Sequence, residues 1–308
     1  MPLGVLEAGA GAGRVRLKPV TFSSIGRSLL LALGIACVAA AQPTSAVILS
    51  GKLAKWRDEI EALGKGKVIL ARVFTDRQKG YVFLPKDTEE RPALLPYFRN
   101  TNFLKQLLAS HGMNLNVKDG DRMLHFVLLN MAREGEWGGY EDAVIAHEFG
   151  HIWLLANDYP MPAYQGKKNS CLSTLTSDAV QHPMIRKLLR ERKIDYNAYW
   201  IPLLERSLGL LEKAPVKPVE EIPTCLLMSK MVLWLDVKTG LTPEQWPDRD
   251  RFLAVLQRHY PILRDTVDDL SQKLAKKDLF DRDQYRGVLE ETLYTVYGFV
   301  RMVLKRGE

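Results

Sequence analysis

The chain has 308 residues, 46% hydrophobic and 26% charged, with 22 Gly, 16 Pro and 3 Cys. That length supports one large domain or two modest ones around a sizeable core, and the composition excludes a disordered, collagen-like or disulfide-dense chain. The formal charge is +7, but the first 46 residues hold Arg14, Arg16, Lys18 and Arg27 against Glu7 alone, so setting aside that net +3 leaves +4. With so small a balance and no interleaved basic and aromatic motif, no nucleic-acid partner is expected.

Residues 1–46 read as a signal peptide. A basic stretch ends at Arg27, an apolar run of about 13 residues covers 29–41, and small residues surround Gln42, Pro43 and Ala46. Spanning a bilayer takes roughly 20 apolar residues, so cleavage after Ala41 or Ala46 is expected, with no stable membrane span afterwards. The destination is then secreted or periplasmic. Gly34 stands where a lipobox usually carries Leu, so Cys37 leaves with the leader. Cys171 and Cys225 remain, and one disulfide or two buried thiols are equally compatible with the sequence.

In chain order, 67–74 and 81–84 are rich in β-branched and aromatic residues and predict two strands joined by a hairpin over 76–80. Residues 94–111 have helical spacing, and 122–131 form a short apolar run bounded by glycine-containing turns, hence a strand. Residues 140–156 predict a helix with Glu141 and Asp142 in its first turn, apolar nearly all round and therefore buried. Helices follow over 169–192, 196–213, 223–237, 248–276 and 284–305, with a proline-marked linker at 213–223. The basic run 186–193 reads as a solvated helix face. The fold class is α+β: a first domain over 47–213 with a small mixed sheet, followed by a helix-rich C-terminal portion over 214–308.

The buried helix carries His147-Glu148-Phe149-Gly150-His151, a match to His-Glu-x-x-His. Residues four apart on a helix lie one turn above each other, so the two imidazoles can converge on one ion at about 2.0 Å. The carboxylate between them suits a general base for an attacking water. Residues 146–155 resemble the active-site helix of zincin metallopeptidases, firmly over the five motif residues and more loosely over 122–182. The resemblance implies zinc as cofactor, hydrolysis of peptide or protein substrates, and Glu148 as general base.

Metzincins continue with a glycine and a third histidine, but those positions hold Leu154 and Asn157 here. Gluzincins and aspzincins, which take a carboxylate from a later helix, are closer in layout. Asp178 and His182 lie four apart on the next helix and can face the same metal. His182 is favoured as ligand with Asp178 orienting it; in the gluzincin order Asp178 binds and His182 faces the open position. Asp158 and Asp195 come next. Pro183 would let the helix end or kink at His182. His111, His125 and His259 have no partners at metal spacing and read as structural. Tyr164, Tyr196 and Tyr199 are candidates for oxyanion stabilisation or for core packing. Two other functions share these features: a non-peptidolytic zinc-containing binding protein, and a zinc amidase acting on cell-wall peptides.

Overall fold

The computed structural model describes residues 44, 46–76, 81–161 and 171–305. Residues 1–43 and 45 of the expected leader, the turn at 77–80 and Tyr164 lie outside the described residues.

The chain is mixed α+β. Helix α1 (Gly51–Ala62) leads into β1 (Lys67–Asp76) and β2 (Tyr81–Phe83); two short helices, α2 (Arg91–Leu94) and α3 (Thr101–Ala109), precede β3 (Gly112–Asp119) and β4 (Arg122–Asn130). The four strands form one sheet in the order β2-β1-β4-β3, with β1 and β4 parallel and the two outer pairs antiparallel. The predicted hairpin is present, with Phe74 opposite Phe83. Strand alternation sorts side chains onto two faces. Val68, Val127 and Leu129 enter the main core, whereas Ile69, Ala71, Val73, Phe126 and Leu128 pack with Leu94 and Leu107 on the other side.

Three predicted elements come out differently. The helix predicted over 94–111 is broken: Pro96 cannot donate into a continuous ladder, and the Asn100 side chain accepts from the Asn102 and Phe103 amides, starting α3 afresh. Its last residues pass into β3, a strand the sequence reading missed although Met113, Leu115 and Val117 alternate with Asn114, Asn116 and Lys118. The helix predicted over 248–276 divides at Pro261 into α9 (Arg249–His259) and α10 (Arg264–Ala275), below. The helix α1 was also unread.

After the short α4 (Glu134–Trp137) comes α5 (Glu141–Ala156), the helix of the His-Glu-x-x-His motif. It is buried nearly all round, as expected, between the sheet, α1 and α6 (Cys171–Glu191). Arg72 of β1 pairs with Glu141 at 2.9 Å, tying the sheet to the start of α5. Trp56 of α1 meets Phe149 edge-on, ring centroids 5.9 Å apart. The remaining helices are α7 (Asn197–Lys213), α8 (Thr224–Gly240), α9, α10 and α11 (Arg282–Lys305). Among the described residues no helix is long and apolar enough to cross a membrane.

One continuous apolar cluster runs from Leu53 to Val300, with α8 and α11 packed directly on α6. The basic run 186–193 is likewise drawn into packing. Arg186 is only 7% exposed, Lys187 lies over the Phe280 ring and Arg192 over that of Trp56.

Cys171 and Cys225 form a disulfide joining the start of α6 to the start of α8, 54 residues apart in sequence. Thiol titration of protein unfolded without reductant should find both cysteines protected. Reduction should lower the unfolding free energy by about 2–5 kcal/mol, read from the shift of a urea transition. Two reactive thiols in the oxidised protein would refute the bridge.

Candidate metal centre

Helices α5 and α6 can lie close because glycine occupies the contact. A Cβ on Gly150 would sit 2.7 Å from Ile185 Cγ2 and 2.8 Å from Ile185 Cγ1, inside van der Waals contact. A second glycine, Gly112 at the start of β3, admits the strand to the same helix, since a Cβ there would be 2.8 Å from Val144 Cγ1 and 3.4 Å from Glu148 Cγ. These two approaches bring α6 and β3 onto the motif face of α5.

His147, His151 and His182 meet there. One ring nitrogen from each lies within 4.8 Å of the others, and the ring centroids are 5.0, 4.9 and 5.5 Å apart. The helix α6 continues through Pro183 without ending at His182.

Each ring is held by its neighbours. His151 Nδ1 faces Gln181 Oε1 at 2.8 Å; the Gln181 amide in turn donates to the Tyr285 hydroxyl at 3.3 Å, which donates to the Pro160 carbonyl at 3.2 Å. His182 Nδ1 faces Asp236 Oδ2 at 2.7 Å, while Asp236 Oδ1 accepts from Arg186 Nη1 at 2.7 Å and Arg186 Nη2 donates to Thr239. Both partners of the Nδ1 atoms are acceptors, so Nδ1 carries the proton and Nε2 presents its lone pair. His147 stacks on Tyr196 at 5.4 Å, and its buried Nδ1 has no hydrogen-bond partner among the described residues.

Burial and neighbouring charges act in opposite directions on His147 and His182. Burial, helped by the charges of His182, His151 and Arg186, pushes His147 well below the usual histidine range and keeps it a neutral donor. Burial would raise Asp236, but His182 and Arg186 outweigh it and hold the carboxylate ionised. Burial works against charging His182 too, and there Asp236 prevails, raising it. A buried neutral imidazole, an orphaned ring nitrogen and two rings with Nδ1 already occupied make a donor set that fits one borderline cation such as zinc.

Glu148 is fixed at one oxygen. Its Oε2 accepts from the backbone N–H and the side-chain amide of Asn114, both at 2.9 Å. Oε1 takes no hydrogen bond among the described residues.

Of the two α6 candidates, His182 joins the cluster and Asp178 stands beside it, Oδ1 3.9 Å from His182 Nε2, with burial raising its pKa. The orienting role anticipated for Asp178 at the far ring nitrogen is filled by Asp236 of α8. Asp158 pairs with Lys65 and Asp195 caps the Ala198 amide, so neither reaches the cluster. His125 is structural, held by Asn116 and the Lys65 carbonyl. His111, read as structural, lines the same cavity. It contacts the Tyr199 hydroxyl at 2.6 Å and Glu136 at 3.2 Å, and burial pushes it down to about 4. The cavity, about 170 Å³, is walled by His147, Glu148 and His182 on one side and by α8 on another. Asp236, Asn114, Gln181 and Arg186 carried no local signal in sequence, since each reaches the centre through tertiary packing.

His182→Ala should abolish stoichiometric zinc, whereas Asp236→Asn should weaken zinc by about 10- to 100-fold, measured by competition with a chromophoric chelator. Full affinity in both variants would place the third ligand elsewhere. Gly150→Ala should cost about 1–3 kcal/mol through overpacking against Ile185, despite alanine's better helix propensity, and chemical denaturation measures it. A neutral or stabilising effect would show that the α5–α6 contact yields freely.

The chain matches no family model, no curated protein and no solved structure.

Proposed function

We propose that the protein is an exported zinc metallohydrolase of the zincin type, hydrolysing peptide bonds with His147, His151 and His182 as ligands and Glu148 as general base. One observation carries the reading: three imidazole nitrogens lie within 4.8 Å of one another beside a carboxylate pinned through one oxygen only. A purely structural zinc site has no use for that carboxylate, and buried histidines satisfied by a core would not leave a ring nitrogen orphaned.

Zinc, when bound, supplies a Lewis acid that polarises the scissile carbonyl and lowers the pKa of a water to about 7. The chain's own groups do the rest. Asn114 holds Oε2 of Glu148, so Oε1 is the atom that takes a proton from the attacking water as its oxygen adds to the carbonyl carbon. The same atom then returns the proton to the amide nitrogen as the carbon–nitrogen bond breaks, so water ends divided between a carboxyl and an amine. Tyr196 lines the cavity against His147, and burial keeps its hydroxyl protonated, which suits donation to the carbonyl oxygen as negative charge grows there. Tyr199 is less suited, because its hydroxyl already engages His111. Asp236 and Gln181 keep two rings aimed. The leader at 1–46 and the disulfide support export into an oxidising compartment.

Purified protein should contain one zinc by elemental analysis and cleave an unstructured protein such as casein, with loss of activity on chelation. Glu148→Gln should keep zinc and fold yet lower turnover by at least about a hundredfold. Undiminished activity in that variant, or zinc-free protein with full activity, would exclude the mechanism.

A further inference from the structure

An imidazole binds zinc through an unprotonated ring nitrogen, so each ligand must carry its proton on the other one. At His182 the choice is made by charge, because Asp236 is a carboxylate and accepts with either oxygen. At His151 the partner is Gln181, an amide with an acceptor on one side and a donor on the other. With Oε1 towards His151 the ring is protonated at Nδ1, and its Nε2 is left for a metal. With the amide turned over, the Gln181 nitrogen would donate to Nδ1 and the ring proton would move to Nε2. Gln181 is buried, which leaves its neighbours to choose.

The choice is made on α11. Tyr285 is fully buried, and its hydroxyl has one proton, donated at 3.2 Å to the Pro160 carbonyl, an atom that can only accept. The hydroxyl oxygen is therefore left as an acceptor, and the Gln181 atom 3.3 Å from it must be the amide nitrogen. Oε1 then faces His151 Nδ1 at 2.8 Å. The carbonyl at the head of this chain is itself held in place. Beyond the end of α5, Asp158 takes a left-handed φ of 59°, the Tyr159 amide returns to the Leu154 carbonyl at 3.0 Å, and the Tyr159 hydroxyl donates to the Phe280 carbonyl at 2.9 Å. The Tyr159 ring stands edge-on to that of Tyr285, centroids 5.0 Å apart. We infer that Tyr285 is a positioning residue of the metal centre: by holding the Gln181 amide in one orientation, it selects the tautomer in which His151 can bind zinc. The inference rests on His151 as a ligand and on no step of the proposed reaction.

The test reads the tautomer directly. Nitrogen-15 correlation spectra of metal-free protein, labelled at histidine and held at mildly alkaline pH, show which ring nitrogen of His151 carries the proton. Nδ1 is expected. Tyr285→Phe removes the hydroxyl and frees the amide to turn over, so it should populate both tautomers. It should also weaken zinc by about threefold to tenfold, as loss of one hydrogen bond does, in competition with a chromophoric chelator. Adding Gln181→Glu to that variant supplies an acceptor in either orientation and should return zinc affinity at least to that of the unsubstituted protein. A proton on His151 Nε2 in the unsubstituted protein, or an unchanged tautomer and affinity in Tyr285→Phe, would overturn the inference. So would a loss that Gln181→Glu does not reverse, which marks Tyr285 as support for packing alone. Zinc content of the unsubstituted protein is scored separately: protein that binds no zinc fails the metal reading, and the tautomer in Tyr285→Phe still judges the role of Tyr285.

Discussion

Everything at the centre depends on how closely α5 and α6 approach. Two histidines on one helix can face the same point by helical geometry, but the third must come from a neighbour whose axis is fixed relative to the first. Gly150 removes the side chain that would hold Ile185 away, and the cluster follows from that contact. Each surrounding element then restrains α5 from another side: Trp56 through Phe149, Arg72 through Glu141, and Asn114 through Glu148. Burial of α5 keeps His147 uncharged, so packing and ligand chemistry have one cause.

The second constraint is charge. Asp236 sits among buried groups and would be costly to ionise alone, yet Arg186 and His182 flank its two oxygens at 2.7 Å each. Such a triad does little for net stability, because desolvation offsets most of the attraction. Its value lies in orientation: the carboxylate fixes which nitrogen of His182 carries the proton and at what angle the ring stands. The C-terminal helices are in this sense part of the centre, since α8 supplies Asp236, the Arg186 contact at Thr239 and one wall of the cavity.

What the sequence disclosed follows the range of the interactions. His147, Glu148 and His151 were legible because their relation is a helical turn, and His182 because a second residue pair at the same spacing lay on the next helix. The burial of α5 was legible from its apolar residues on every face. Asp236 lies 54 residues beyond His182, Asn114 lies 34 before Glu148, and no periodicity links them. The strand β3 escaped because two asparagines and a lysine interrupt its apolar residues, and its start runs on from a helical pattern. Arg186 was misread as solvated because its run looks basic, while its partner Asp236 arrives from another helix. The break at Pro261 was visible in principle, and the helical spacing on both sides hid it.

The placement of Asp236 also orders the birth of the centre in time. The chain leaves the ribosome, and on the proposed route crosses a membrane, from its N-terminus. His147, His151 and His182 therefore emerge while the carboxylate that orients His182 is still enclosed. The bond from Cys171 cannot close until Cys225 has followed, and only then does α8 gain a covalent tether to α6. A chain halted at residue 213 carries His147, His151 and His182 and no Asp236, and its cavity lacks the α8 wall.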